Sequence, residues 1–182
     1  MAEEGSSAKR PRLGAEDTGT VEKQLAKLGI TLPEPAAAVA NYVPWRQSGS
    51  TIFISGQIPK DASGALPKGQ LGAEGQAGKL SVAAGQAAAR QCGINLIVHM
   101  KAACDGNLDR VKRILRIEGF VSCTPEFEGH PQVINGCSDL MVEVFGKEVG
   151  SHSRFAVGCS SLPLGVPVEV GAIVEISEAS KL

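Results

Sequence analysis

The chain has 182 residues, which suits one domain with a single hydrophobic core and a terminal tail. Its formal net charge is -1, so the overall balance does not favour binding to nucleic acid or to an acidic membrane surface. No apolar run approaches the roughly 18 residues that a membrane-spanning helix needs. The polar residues 3–7 also exclude a secretory signal peptide, so we expect a cytoplasmic protein.

The cysteines and histidines argue against a disulfide framework and against a bound metal. Five cysteines are scattered along the chain without a C-x-x-C pair. The three histidines have no second ligand at a spacing typical of a metal site. We therefore expect reduced, mostly buried thiols and no metal.

The two ends of the chain are predicted to lie outside the folded domain. Residues 1–19 are small and charged, which is typical of a disordered tail, and residues 179–182 form a second tail. The basic cluster 9–12 could serve as a nuclear localisation signal, although solvated clusters of this kind are common. Residues 20–30 are predicted to form a short helix that stops at Gly29, and the domain is expected to span 31–178.

The first half of the domain is predicted to hold two strands and a long helix. The strands are 38–43 and 51–54, joined by a loop over 47–50. Residues 76–101 are rich in alanine and have one broadly apolar face, which predicts a helix. Gly85 and Gly93 weaken this helix, but small residues there could let it lie close to a sheet.

The second half is predicted to add a strand over 111–123, a helix over 131–145 that ends at Gly146, and a C-terminal hairpin. The hairpin joins 152–159 to 168–176 through a turn at Leu162 and Pro163. The order β-β-α-β-α-β-β, with hairpin-connected strands, indicates an α+β fold with a mixed sheet and both helices on one face.

Arg154 is a permanent cation at the start of the predicted hairpin, where its planar guanidinium could bind a carboxylate through two hydrogen bonds. A snorkelling edge arginine is the alternative that spacing alone favours. If the hairpin turns near Pro163 without a bulge, Arg154 shares the sheet face of Ala172 and Glu169 lies on the other face. The two side chains could then meet through a bulge, a shifted register or a neighbouring subunit.

The string Ile54-Ser55-Gly56-Gln57-Ile58-Pro59, followed later by Arg154 and Leu162-Pro163, resembles the Rid family. Its members are the YjgF-like or RidA reactive-intermediate deaminases, formerly described as L-PSP endoribonucleases. The resemblance covers roughly residues 30–176. It implies a chorismate-mutase-like fold and a homotrimer with sites in clefts between subunits.

The resemblance also assigns roles to individual residues. Arg154 matches the arginine that binds the substrate carboxylate, and Glu169 matches a glutamate that positions or activates water. The other residues matched to the pocket are Tyr42, Ser55, Gly56 and Asn135. Three positions depart from the common pattern and indicate a divergent subgroup: Ala156 replaces a cysteine, Ser138 a tyrosine and Gly171 a glutamate.

The resemblance implies hydrolysis of small 2-imino acids, such as 2-iminopropanoate and 2-iminobutanoate, to 2-keto acids and ammonia, a reaction that requires no cofactor. One alternative is a non-catalytic trimer that binds small carboxylates, which the three departures make plausible. A second is an RNA-binding protein or endoribonuclease that uses Lys112, Arg113 and Arg116. The low aromatic content and near-neutral charge count against it. A serine hydrolase built on His130 and Asp139 is disfavoured because no nucleophile-elbow pattern surrounds any serine.

Overall fold

The computed structural model describes residues 19–35 and 41–177. The basic cluster 9–12, the C-terminal tail and all but one residue of the predicted N-terminal tail lie outside this part of the chain, as does the first half of the strand predicted over 38–43.

The described residues form three α-helices and five strands. In chain order these are α1 (Thr20–Lys27), β1 (Trp45–Ser48), β2 (Thr51–Gln57), α2 (Val82–Ala103), β3 (Val111–Ser122), α3 (His130–Gly150), β4 (Ser153–Cys159) and β5 (Val168–Ile176). The α+β class and the element order after α1 are confirmed. The two long helices α2 and α3 cover one face of a single mixed sheet, and the aliphatic core lies between these layers.

The strand order in the sheet is β1-β2-β5-β3-β4, so the predicted C-terminal hairpin is wrong. Strand β5 pairs antiparallel with both β2 and β3, whereas β4 pairs parallel with β3 at the sheet edge. The pattern of burial explains this arrangement, because β5 is buried at most positions and β4 is half-exposed. Helix α3 provides the crossover connection that two parallel strands require.

The first strand lies further along the chain than the predicted 38–43. Pro44 lacks a backbone N–H, and the strand begins after it, at Trp45. The hairpin pairs Ser48 with Thr51, so its connection is the two residues Gly49 and Ser50 rather than a four-residue loop. Gly49 has a φ of 58°, the kind of conformation that two-residue hairpins favour and glycine adopts readily.

Helix α2 begins six residues later than the predicted 76. The Ser81 hydroxyl accepts a hydrogen bond of 3.2 Å from the Ala84 N–H and so caps the helix at that point. The other predicted helix ends are close to those observed. Helix α1 stops before Gly29, and the helical backbone of α3 is interrupted at Gly146.

Helices α2 and α3 approach each other closely because glycine occurs at their contact. A Cβ at Gly93 would lie 2.9 Å from a Leu140 methyl group, and one at Gly136 would overlap the Gln86 carbonyl oxygen. The small residues at this contact therefore let α2 lie close to α3, rather than to the sheet as expected from the sequence. The approach of α3 to the sheet depends on Gly119 of β3, where a Cβ would lie 2.6 Å from Ile134.

Helix α1 is attached to the rest of the domain by hydrogen bonds to a charged side chain. The Asp109 carboxylate accepts hydrogen bonds of 2.8 Å and 2.9 Å from the backbone N–H groups of Thr20 and Val21. These are two of the donors that an α-helix leaves without intrahelical partners at its N-terminus. None of the helices in residues 19–35 and 41–177 has the length and apolar character needed to cross a bilayer.

We predict that Gly136→Ala lowers the free energy of unfolding by about 1–3 kcal/mol, even though alanine is the better helix former. The added methyl group would overlap a backbone carbonyl oxygen, which cannot rotate away as a side chain can. Urea denaturation measures the change. Gln132→Ala, an exposed position on the same helix, is the matched control and should be nearly neutral. A Gly136→Ala protein as stable as the wild type would contradict the packing argument.

Candidate active site

Arg154 lies on β4 and points to the sheet face that carries the helices. It pairs with Ile117 of β3, which on its other side pairs with Ala172 of β5. The Arg154 Nη1 donates hydrogen bonds to Asn135 Oδ1 at 2.8 Å and to Ser138 Oγ at 3.0 Å. Both acceptors lie on α3, so two successive elements of the chain fix the position of the guanidinium.

The remaining donors of Arg154 are available for a ligand. The two N–H bonds of Nη1 are used by Asn135 and Ser138, whereas Nε and Nη2 form no hydrogen bond with a described residue. No carboxylate of the described residues forms a salt bridge with Arg154. A half-buried guanidinium held only by neutral oxygens, with its two-donor Nε/Nη2 edge unused, is suited to binding a carboxylate side-on.

Sequence reasoning missed two residues of this site. Ser138 was noted only as a departure from the family pattern, and His152 was given no role. The His152 Nε2 lies 3.0 Å from Ser138 Oγ, and its Nδ1 lies 2.6 Å from the Gly150 carbonyl oxygen. The two-residue period of a strand offered a signal for His152, since residues 152 and 154 share a face. No signal in the sequence connected Ser138 to Arg154.

Glu169 lies on the opposite face of the sheet, which we call the open face because no described helix covers it. It pairs with Phe120 of β3, and its carboxylate packs against Gly56 so closely that a Cβ at residue 56 would overlap it. Burial raises the pKa of the Glu169 carboxyl above its ordinary 4.5. No hydrogen bond joins its carboxylate to another described residue. Glu169 therefore has the desolvated, unpaired carboxyl that proton transfer requires.

Tyr42 and Ser55 lie together at the other end of the sheet from Arg154. The Ser55 Oγ donates a hydrogen bond of 2.9 Å to the Val43 carbonyl oxygen, which places Ser55 beside the segment that carries Tyr42. Together with Arg46 and Phe53, these residues line a surface pocket of about 520 Å³. The Tyr42 side chain is 53% exposed. It is free to contact a ligand or another subunit.

The predicted site residues, together with Ser138 and His152, thus form two separate groups within one chain. The anchor group comprises Asn135, Ser138, His152 and Arg154, and the glutamate group comprises Tyr42, Ser55, Gly56 and Glu169. Arg154 and Glu169 flank β3 at positions three residues apart and on opposite faces. Standard strand spacing and rise put their Cα atoms about 14 Å apart. The predicted placement on opposite faces is confirmed, although the hairpin from which it was argued does not form.

The open face exposes large apolar side chains that a lone domain would leave in water. Phe53 is 47% exposed, Phe120 37% and Val157 42%. These residues come from β2, β3 and β4, so the apolar surface extends across the sheet. A surface of this kind is typical of a face that another protein surface covers.

The structure shows the surroundings of two of the departures from the family pattern. Ala156 lies on β4 two residues after Arg154, on the same face of the strand. At Gly171 a Cβ would meet only ordinary van der Waals contacts, 3.5 Å from the Ile54 carbonyl oxygen. A Cβ therefore fits at Gly171, so close packing at that atom does not account for the missing carboxylate there.

The structure also shows where the residues of the other constellations considered from sequence lie. His130 lies 3.3 Å from Cys123 Sγ and packs edge-on against Phe127, with no serine hydroxyl among its recorded contacts in the described chain. Among described residues, no cluster of His, Cys, Asp or Glu has the geometry of a metal site. Lys112, Arg113 and Arg116 are exposed on β3, and Arg116 stacks on Phe155 with its Cζ 5.2 Å from the ring centroid.

Residues 22–175 match the sequence model of a family described as "YjgF/chorismate mutase-like, putative endoribonuclease". The match covers most of the chain, and the chain belongs to this family. The membership confirms the Rid assignment made from the Ser55-Gly56 segment and Arg154.

Individual relatives agree with the family assignment. Protein TCP17 of Trypanosoma cruzi is 47% identical over 160 residues, which cover 88% of this chain and 96% of that protein. The crystal structure of Atu1372 of Agrobacterium tumefaciens, a protein of unknown function, has 41% identity and a TM-score of 0.75, covering 86% of this chain and 94% of that one. A Shewanella oneidensis MR-1 protein with the endoribonuclease description has 36% identity and a TM-score of 0.78, with coverage of 87% and 100%.

We predict that Glu169→Gln raises the thermal unfolding midpoint at pH 7 and that the difference disappears near pH 4. Burial raises the carboxyl pKa in the folded state, so the folded protein binds the proton more strongly than the unfolded chain does. Stability contributed by this group is therefore lost as the pH rises from 4.5 through the folded-state pKa. Calorimetry of both proteins at the two pH values checks the sign. A glutamine variant that is less stable at pH 7 would show that the carboxylate is stabilised in the native state.

Proposed function

We propose that the protein is a homotrimer that hydrolyses small 2-imino acids to 2-keto acids and ammonia at clefts between subunits. The observation that carries this proposal is the guanidinium of Arg154, which is held by neutral oxygens and has its Nε/Nη2 edge unused by the described residues. A 2-imino acid offers a carboxylate next to the reacting carbon, so binding at this edge fixes the position of that carbon.

The separation of the two residue groups supports a site shared between subunits. The anchor group lies at the β4 edge of the sheet, and Tyr42 and Ser55 lie at the β1–β2 end. In the proposed ring, the β4 edge of one subunit would meet the β1–β2 end of the next through a head-to-tail contact. The apolar open face supplies the surface that such a ring would bury. Each cleft would then combine Arg154 of one subunit with Glu169 of its neighbour.

The proposed reaction needs one water molecule and no cofactor. Arg154 holds the substrate carboxylate, and the Glu169 carboxylate takes a proton from water as the water oxygen bonds to the imine carbon. Glu169 delivers that proton to the imine nitrogen, which gives a carbinolamine. It then takes the proton of the new hydroxyl group and passes it to the nitrogen as the carbon–nitrogen bond breaks, so the products are ammonia and the 2-keto acid. The raised pKa of Glu169 supports this role, because a carboxylate with a pKa nearer to the operating pH is a stronger base and still gives the proton back.

The main rival is a trimer that binds small carboxylates without turnover. Ala156 and Gly171 support it, because neither supplies the thiol or second carboxylate that many family members carry. This rival keeps the need for Arg154 in binding and removes the reaction. An RNA-binding role is distinguished by its residues, since it depends on Lys112, Arg113 and Arg116 rather than on Arg154.

We predict that 2-iminopropanoate and 2-iminobutanoate, generated in the assay mixture, are hydrolysed faster in the presence of the protein. Arg154→Ala should lower kcat/KM by about 100-fold, the loss expected for a charge-assisted hydrogen-bonded pair. Arg154→Lys should lose about 10-fold or more, because an ammonium group cannot provide the two parallel N–H donors. Semicarbazide trapping or a coupled keto-acid assay measures the rate.

Lys112→Ala, an exposed cation on β3, is the matched control and should retain full activity. Background rates in the wild type and in every variant would overturn the hydrolase proposal and favour the binding trimer. Ribonuclease activity that Lys112→Ala abolishes and Arg154→Ala leaves intact would favour the RNA-binding alternative.

A further inference from the structure

We infer that His152 is a positioning residue for the Arg154 anchor, acting through the Ser138 hydroxyl, and that binding of a carboxylate at Arg154 is coupled to proton uptake by His152. This inference rests on the proposed function of Arg154 as a carboxylate anchor and adds a regulation of that same site.

The hydrogen bonds fix the direction of every donor in the group. The Gly150 carbonyl oxygen can only accept, so the contact of 2.6 Å assigns the hydrogen to His152 Nδ1. In the neutral imidazole, Nε2 is then bare and accepts from the Ser138 hydroxyl at 3.0 Å. The lone pairs of Ser138 Oγ face Arg154, whose Nη1 donates at 3.0 Å. A neutral His152 therefore holds Ser138 in the orientation that accepts from Arg154.

Protonation of His152 reverses the hydrogen bond between His152 Nε2 and Ser138 Oγ. Nε2–H must then donate to Ser138 Oγ, so that two cations share one hydroxyl oxygen and the serine hydrogen turns elsewhere. Burial, the larger cause, and the nearby Arg154 charge lower the pKa of His152, while its hydrogen bond to the Gly150 carbonyl acts in the opposite direction. In the folded protein His152 therefore stays neutral at pH values below its ordinary pKa of 6.5.

A bound carboxylate lowers the electrostatic cost of protonating His152. Its negative charge offsets the guanidinium, so the cost of a second positive charge on His152 falls. By linkage, a ligand that makes proton binding more favourable is itself bound more tightly when that proton is present. The affinity for a carboxylate should therefore rise as the pH falls through the titration of His152.

The surroundings of His152 contribute no other close charge. The α3 groups that contact it, Ser138 and the Gly150 carbonyl, are neutral, and α3 residues Asp139 and Lys147 are exposed. On β3, Arg116 and Glu118 alternate with the buried Ile117 and point to the open face. Within the described chain, Arg154 is the charge that acts on His152.

The test uses pyruvate as the probe, because it carries the carboxylate of the proposed product and is stable. The His152 ring resonances of the wild-type protein are followed by NMR from pH 4.5 to 8, with and without saturating pyruvate. We expect pyruvate to move the His152 titration to higher pH. Calorimetric titrations should show pyruvate binding about three-fold tighter on the acid side of that titration than on the alkaline side.

Three variants separate positioning from a merely structural effect. His152→Gln can accept from Ser138 without titrating, so its pyruvate affinity should lose the part of the pH dependence that follows the His152 titration and keep only the part due to Glu169. Ser138→Ala should weaken binding and Ser138→Thr, which keeps the hydroxyl, should restore it. His130→Gln, at a histidine that contacts Cys123 instead, should keep the wild-type pH dependence.

The outcomes distinguish this inference from the proposed function. Pyruvate binding that Arg154→Ala abolishes, with an unmoved His152 titration and a pH dependence shared by His152→Gln, would overturn the coupling and leave the anchor intact. Pyruvate binding that does not depend on Arg154 would overturn both. The NMR titration needs no variant, so a folding defect in one of them does not affect the test.

Discussion

The arrangement of the site depends on one unbalanced charge. Arg154 stands half-buried between β4 and α3, and its guanidinium is held by an amide oxygen and a hydroxyl rather than by a carboxylate. A carboxylate partner within the described chain would have neutralised the guanidinium charge and used its paired N–H donors. Neutral oxygens position the same guanidinium but do not neutralise its charge, and they leave the Nε and Nη2 donors for a ligand. Asn135, Ser138 and His152 can all be understood as parts of that support.

The topology of the sheet then determines what one chain can and cannot complete. Because β5 is inserted between β2 and β3, Glu169 faces away from the helices and packs against Gly56. Arg154 faces the helices from the far edge strand. No side-chain rotation joins groups on opposite faces about 14 Å apart. Association of subunits is therefore part of the proposed chemistry, and burial of the apolar open face would favour that association.

Much of the fold was predictable because the local signals were strong. The long helices, Gly29 and Gly146 as helix breaks, and the alternation in β5 follow from residue spacing and glycine conformation. The strand order was not predictable, since neither turn chemistry nor period says that β5 leaves its sequence neighbour to pair with β2 and β3. Arg154, Asn135 and Glu169 were placed by resemblance to a family. The roles of Ser138 and His152 needed the structure, because their hydrogen bonds join α3 to β4.

The most direct test of the account is a mixed-subunit experiment with Arg154→Ala and Glu169→Gln proteins. Each is assayed for 2-iminobutanoate hydrolysis alone, and the two are then unfolded, mixed in equal amounts and refolded together. If each site takes Arg154 from one subunit and Glu169 from the next, every mixed trimer contains one intact site, and random mixing gives roughly a quarter of the wild-type activity. Activity that stays at the level of the separate variants, although mixed trimers have formed, would place both residues in one subunit and contradict the account.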